Sequence, residues 1–135
     1  MAGGLLLEVV TPEKLLLSEE VEEVTAPGRE GEFGVLPGHT PFFTLLKVGE
    51  VMYRSGGKEN YLAVSGGFAE VLPERVTILA EAAELAHEID VERAKRAKER
   101  AEERLKELAP LDVEYAQALS ALERALTRLK VAGKV

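Results

Sequence analysis

The sequence contains no cysteine and no tryptophan, and aromatic residues make up only 5% of it. Without cysteine there is no disulfide, no thiolate nucleophile and no zinc–thiolate centre, a composition that suits a reducing cytoplasm. With so few aromatics, platforms on which single-stranded nucleic acid could stack are scarce. Long hydrophobic runs are missing too. The longest, such as Leu5 to Leu7 or Leu15 to Leu17, fall far short of the ~20 apolar residues that a membrane helix needs, so direct membrane insertion is not expected. The amino terminus shows neither the basic start nor the apolar stretch of a secretory signal.

The groupings that carry catalysis are also absent. The two histidines, His39 and His87, are far apart and share no metal-ligand spacing, so no metal site is assigned. The glycine-rich stretches do not read as phosphate loops. In SGGKEN (55–60) a Gly-Lys pair is present, but Glu59 stands where a serine or threonine would hold magnesium, and GREGEFG (28–34) lacks the lysine. The carboxylates are scattered over presumed strand surfaces. No catalytic residue is assigned, no cofactor is required, and the chain is not expected to be an enzyme by itself.

Charge divides the chain. Residues 1–86 hold 6 Lys/Arg against 14 Asp/Glu, whereas residues 87–135 hold 11 against 10, within a net charge of -7. The acidic first part argues against a nucleic-acid partner. The second part is dense in both signs, which suits an acidic partner better than a membrane surface.

Turning to what is present, hydrophobic residues make up 46% of the 135, enough to bury a core. All but one of the 12 glycines precede residue 68, and 5 of the 6 prolines precede residue 74. Between these breakers lie strand-length stretches at 5–10, 21–26, 42–48, 50–54, 60–65, 67–72 and 75–80. In the last, Val76, Ile78 and Ala80 share one face and Thr77 and Leu79 the other. Many short strands separated by turn signals predict an antiparallel β-sandwich or barrel over residues 1–86.

The pattern then changes to one of helix formers. Residues 90–108 lack glycine and proline, carry an apolar stripe of Ala94, Ala97, Ala101, Leu105 and Leu108, and start at Asp90 as N-cap. After a break at Ala109-Pro110-Leu111, Asp112 opens a second helix with Leu119, Leu122, Leu126 and Leu129 at steps of three and four, ending near Gly133. So short a link makes residues 87–135 an antiparallel two-helix hairpin. Because one stripe is mostly alanine, and each buried CH₂ contributes only about 0.8 kcal/mol, the hairpin should be marginally stable, as a conformational switch requires.

Two segments then carry a resemblance to a known family. One is GEFGVLPGHTPFFT (31–44) with YLAVSGGFAEV (61–71); the other is EIDVERAKRAKERAEERL (88–105) with ALERALTRLKVA (121–132). Together they resemble the epsilon subunit of bacterial F-type ATP synthases over essentially the whole chain. The resemblance implies a sandwich of about ten strands followed by a helical hairpin. It also implies a non-catalytic rotor subunit of the central stalk, peripheral at the cytoplasmic face of the bacterial membrane. The partners implied are the gamma subunit, the c ring and the alpha/beta catalytic hexamer. Such a subunit couples proton flow to ATP synthesis and inhibits hydrolysis when its hairpin opens.

By the same resemblance, Glu32 matches the acid that faces the c ring and His39 the position near gamma. Either residue also reads as an ordinary turn or surface residue. Ile89-Asp90-x-x-Arg93-Ala94 resembles the ATP-binding motif of some epsilon subunits, with Glu84, Arg100, Arg124 and Arg128 completing the site and ATP as a regulatory ligand. At about 100° per residue, Arg93 and Arg100 lie within roughly 20° of each other, and Arg124 and Arg128 are helical neighbours. Four guanidinium groups could thus meet one triphosphate, since the planar fork suits phosphate oxygens. The competing reading makes Asp90 a plain N-cap and the arginines surface charges paired with nearby glutamates. A free-standing β-sandwich binding module with a helical appendage is the alternative for the whole chain.

Overall fold

The computed structural model describes residues 4–134. The chain forms two compact units, the first ending at Leu85 and the second beginning at Ala86. Among the described residues the first unit has ten strands: β1 (Leu5–Val10), β2 (Leu15–Val21), β3 (Glu23–Gly28), β4 (Gly31–Val35), β5 (Phe42–Leu45), β6 (Gly49–Ser55), β7 (Lys58–Val64), β8 (Phe68–Leu72), β9 (Arg75–Leu79) and β10 (Ala83–Leu85). They make two five-stranded sheets, ordered β2-β1-β9-β8-β5 and β10-β7-β6-β3-β4. Every ladder is antiparallel except that of β1 with β9, which run parallel.

The period-two alternation sets which face is buried. In β1, Leu5, Leu7 and Val9 are fully buried, and the facing positions Val76 and Ile78 of β9 join them. Val24, Ala26, Val51, Tyr53, Leu62 and Val64 contribute from the other sheet. At about 1.5–3 kcal/mol for each fully buried aliphatic side chain, this interlayer is what stabilises the sandwich.

Turn chemistry fixes the registers. Ser55 pairs with Lys58 around Gly56-Gly57, whose φ values of 58° and 77° suit the two-residue turn that matches strand twist, so SGGKEN is a hairpin and not a phosphate cradle. At Gly67 (φ 103°), a Cβ would stand 2.0 Å from the carbonyl oxygen of Leu79, so only glycine fits beside β9.

The second unit opens with a 3₁₀ turn, Ala86–Glu88, followed by α1 (Val91–Glu107) and α2 (Val113–Ala132). Asp90 caps α1 as expected. Asp112 stands at the N-cap of α2, but its Oδ2 accepts from the N–H of Ala109, 3.2 Å away, and so ties down the link instead of capping the helix. Gly133 ends α2 in a right-handed conformation, with its N–H donating to the carbonyl of Leu129.

The α1 stripe is as expected: Ala94 and Ala101 are buried, and Ala97, Leu105 and Leu108 are half-buried. The α2 stripe is displaced. Leu122 and Leu129 are half-buried, but Leu119 and Leu126 are 42% and 44% exposed, while Ala118 and Ala125 are buried. The reason is steric. Alanines let two backbones approach closely, and leucines about 100° round the helix are then left at the edge of the contact.

Candidate functional site

The start of α1 shows what each residue of the Ile89-Asp90-x-x-Arg93-Ala94 motif does. Asp90 Oδ1 accepts from the backbone N–H of Arg93 at 3.0 Å, which satisfies one of the unpaired donors at the helix start. Ile89 just before the cap and Ala94 four positions into the helix are buried at 8% and 2% exposure, the positions of a hydrophobic staple. Three of the four named residues therefore have a structural duty. The exposed side chain of Arg93 has none of this kind.

The hairpin register follows from two observations. Arg104 of α1 bonds Glu114 of α2 at 2.5 Å across the pair. The buried alanines are spaced alike on both helices, which sets Ala94 level with Ala125 and Ala101 level with Ala118 in an antiparallel pair. Measured from that alanine line, Arg93 and Arg100 lie about 80–120° to one side of α1. Arg124 and Arg128 lie about 60–120° to the corresponding side of α2. Reversing one helix brings these two sides together, so the four arginines occupy one face of the hairpin. Arg93 and Arg100 are exposed, and Arg124 and Arg128 are half-buried. Arg124 donates from Nη1 to Ser120 Oγ at 2.9 Å. Glu84 belongs to the first unit, half-buried on β10 opposite Ala63 of β7.

The two partner candidates lie on the sandwich. Glu32 is exposed on β4, opposite Pro27 and one residue beyond the tight turn that closes between Gly28 and Gly31. His39 is half-buried; its Nδ1 donates to the carbonyl of Thr40 at 2.6 Å, and its ring lies 6.3 Å from that of Phe42. This is the turn-forming role open to it from sequence.

Some features escape sequence reading. The edge strand β5 exposes Phe42, Phe43 and Leu45, with Leu36 exposed before it, and the Phe43 ring packs 5.2 Å from that of Phe68. The only signal was the Phe42-Phe43 doublet, which breaks strand alternation. A groove of about 620 Å³ lies beside this strand, lined mainly by apolar residues such as Val10, Leu45, Phe68 and Leu79. Ser120 and the Arg104–Glu114 pair carry no sequence signal either, because each depends on three-dimensional placement. Among the described residues, no cluster of three or more His, Asp or Glu could hold a metal ion, and no helix is long and apolar enough to cross a membrane.

Comparison with known proteins agrees along the whole chain. Residues 5–86 match the family model of the ATP synthase delta/epsilon chain β-sandwich domain, and residues 87–133 that of its long α-helix domain. The chain is 60% identical over 134 residues to the ATP synthase epsilon chain of Syntrophobacter fumaroxidans, covering 99% of each. It is 56% identical over 134 residues to that of Geobacter metallireducens, covering 99% of this chain and 97% of the relative. Against that of Nitratidesulfovibrio vulgaris the identity is 53% over 133 residues, covering 98% of both. In structure it is similar to a chain of the Euglena gracilis mitochondrial ATP synthase OSCP/F1/c-ring assembly, with a TM-score of 0.80, 32% identity, and coverage of 98% of this chain and 82% of that one. A chain of the Tetrahymena thermophila central stalk/c-ring assembly shares the fold, with a TM-score of 0.65 at 18% identity and coverage of 95% and 96%.

Proposed function

The chain belongs to the delta/epsilon chain family of ATP synthases, and from that premise we propose that it is a non-catalytic central-stalk subunit that couples proton flow to ATP synthesis and restrains hydrolysis through its hairpin. One observation carries this reading: relatives at 53–60% overall identity align over 98–99% of the chain, and the family's two domain models match the sandwich and the hairpin in turn, so the two units are inherited together. The chain is a component of a larger complex and not its catalytic part. Its partners are the gamma subunit, the c ring and the alpha/beta hexamer, at the cytoplasmic face of a bacterial membrane. The apolar edge around Phe42 and Phe43 suits gamma, and the exposed turn acid Glu32 suits the c ring.

ATP is the regulatory ligand in this reading. Support comes from the face that gathers Arg93, Arg100, Arg124 and Arg128, and from the absence of a structural duty for the Arg93 side chain. Bound ATP neutralises this face and holds the two helices together. When ATP falls, the helices keep only their alanine-lined contact, its flanking leucines and the exposed Arg104–Glu114 pair, and the hairpin opens toward the acidic surfaces of the hexamer. A ligand shifts such an equilibrium only by its differential affinity, so the closed hairpin must bind ATP far more tightly than the open one.

Hydrolysis by the purified complex, assayed with and without this chain, tests the proposal. The chain should slow hydrolysis at micromolar ATP and release it at millimolar ATP. Equal rates with and without the chain at every ATP concentration would contradict a regulatory role.

A further inference from the structure

We infer that Ser120 is a positioning residue of the anion site, holding the Arg124 guanidinium where a triphosphate meets it; this rests on the ATP reading above. Ser120 Oγ accepts from Arg124 Nη1 at 2.9 Å, one helical turn back along α2. Helical side chains lean toward the N-terminus, so Arg124 reaches Ser120 without an unusual rotamer. With Ala94 level with Ala125 and Ala101 level with Ala118, the hydroxyl draws the guanidinium to a height between Arg93 and Arg100 on the opposing helix. The three charges then span a length that a chain of phosphates can bridge.

The chemistry of the acceptor matters. Glu123 is the sequence neighbour of Arg124, yet the guanidinium bonds a neutral hydroxyl. A hydroxyl orients the group and leaves its positive charge uncompensated for an anion, whereas a carboxylate would cancel it. Ser120 keeps its own O–H proton free to donate to a phosphate oxygen in the same arrangement. Its presence also runs against helix propensity, since alanine would suit a helix interior better. The residue thus costs the hairpin a little stability and gives the site a fixed guanidinium.

The test titrates ATP into the full chain as parent, Ser120→Ala, Ser120→Thr and Arg124→Ala, with a thermal melt followed by circular dichroism for each. Ser120→Ala should weaken ATP binding by roughly threefold to tenfold, the range that one net hydrogen bond supplies. Its melting midpoint should stay level or rise, because alanine is the better helix former, so lost structure cannot explain the lost affinity. Ser120→Thr, which keeps the hydroxyl, should restore affinity. Parent-like affinity in Ser120→Ala alongside a clear loss in Arg124→Ala would overturn the role of Ser120 alone. If the parent itself shows no saturable binding, the ATP site falls and the role of Ser120 falls with it.

Discussion

Asp90 and Arg93 are joined through the backbone of the arginine: the Asp90 carboxylate accepts from the Arg93 N–H at 3.0 Å, and the guanidinium takes no part in that bond. The cap and the candidate anion site therefore separate at the level of single atoms. Asp90→Asn should keep the cap, since asparagine is an equally good N-cap, while Asp90→Ala should cost about 1 kcal/mol of hairpin stability. Thermal melts followed at a helical wavelength check both. Equal melting of the two variants would mean that this bond contributes nothing in solution.

The alanine contact makes a second prediction. Ala125 is fully buried on α2, whereas Leu126 beside it is 44% exposed. Ala125→Leu should force the helices apart and cost about 1–3 kcal/mol through overpacking. Leu126→Ala should stay within about 1 kcal/mol, because little of its surface leaves water. Chemical denaturation of the full chain, followed by helical signal, gives both values.

Glycine positions differ in what they tolerate. At Gly56 (φ 58°) a Cβ has nothing within 4 Å, so Gly56→Ala should cost only the left-handed backbone penalty of about 1–2 kcal/mol. At Gly67 (φ 103°) a Cβ would meet the Leu79 carbonyl oxygen at 2.0 Å. Gly67→Ala should cost about 3 kcal/mol or more, since strain and a backbone clash add. Comparing the two by urea denaturation separates strain from clash.

Burial pushes the Tyr53 phenol above its ordinary value near 10, and the negative charge of Glu19 adds to the shift. The folded state thus holds this proton more tightly than the unfolded chain. The contribution is intact below about pH 10 and is lost as pH climbs past the unfolded value, so sandwich stability should fall in that alkaline window. Tyr53→Phe should flatten the fall. An unchanged alkaline profile in that variant would place its cause elsewhere.

The fold was legible where one physical signal dominated. The apolar stretch at 5–10 and the alternation in 75–80 identified β1 and β9, and paired glycines marked the β6–β7 turn. The parallel pairing of β1 with β9 was not legible, because alternation specifies a face and not a neighbour. Three strands escaped: β2 because LLLSEEV shows no clean period, β4 because its Gly31 and Gly34 read as turn residues, and β10 because three residues carry no period. On α2, leucines and alanines form two adjacent stripes of nearly equal periodicity, and packing closeness chose the alanines. Asp90 could be read as a cap directly from its position before a helical run. The gathering of Arg93 and Arg100 with Arg124 and Arg128 needed the hairpin register, which Arg104–Glu114 and the alanine spacing supply.

The most direct measurement is a calorimetric titration of ATP into the full chain, with Arg93→Ala beside it. Saturable binding in the parent, weakened at least tenfold in Arg93→Ala with the helix content unchanged, is the predicted result, because that guanidinium binds phosphate and its removal leaves the Asp90 cap in place. Equal affinity in the two proteins would contradict an ATP site on this face of the hairpin and return its arginines to the role of surface charges.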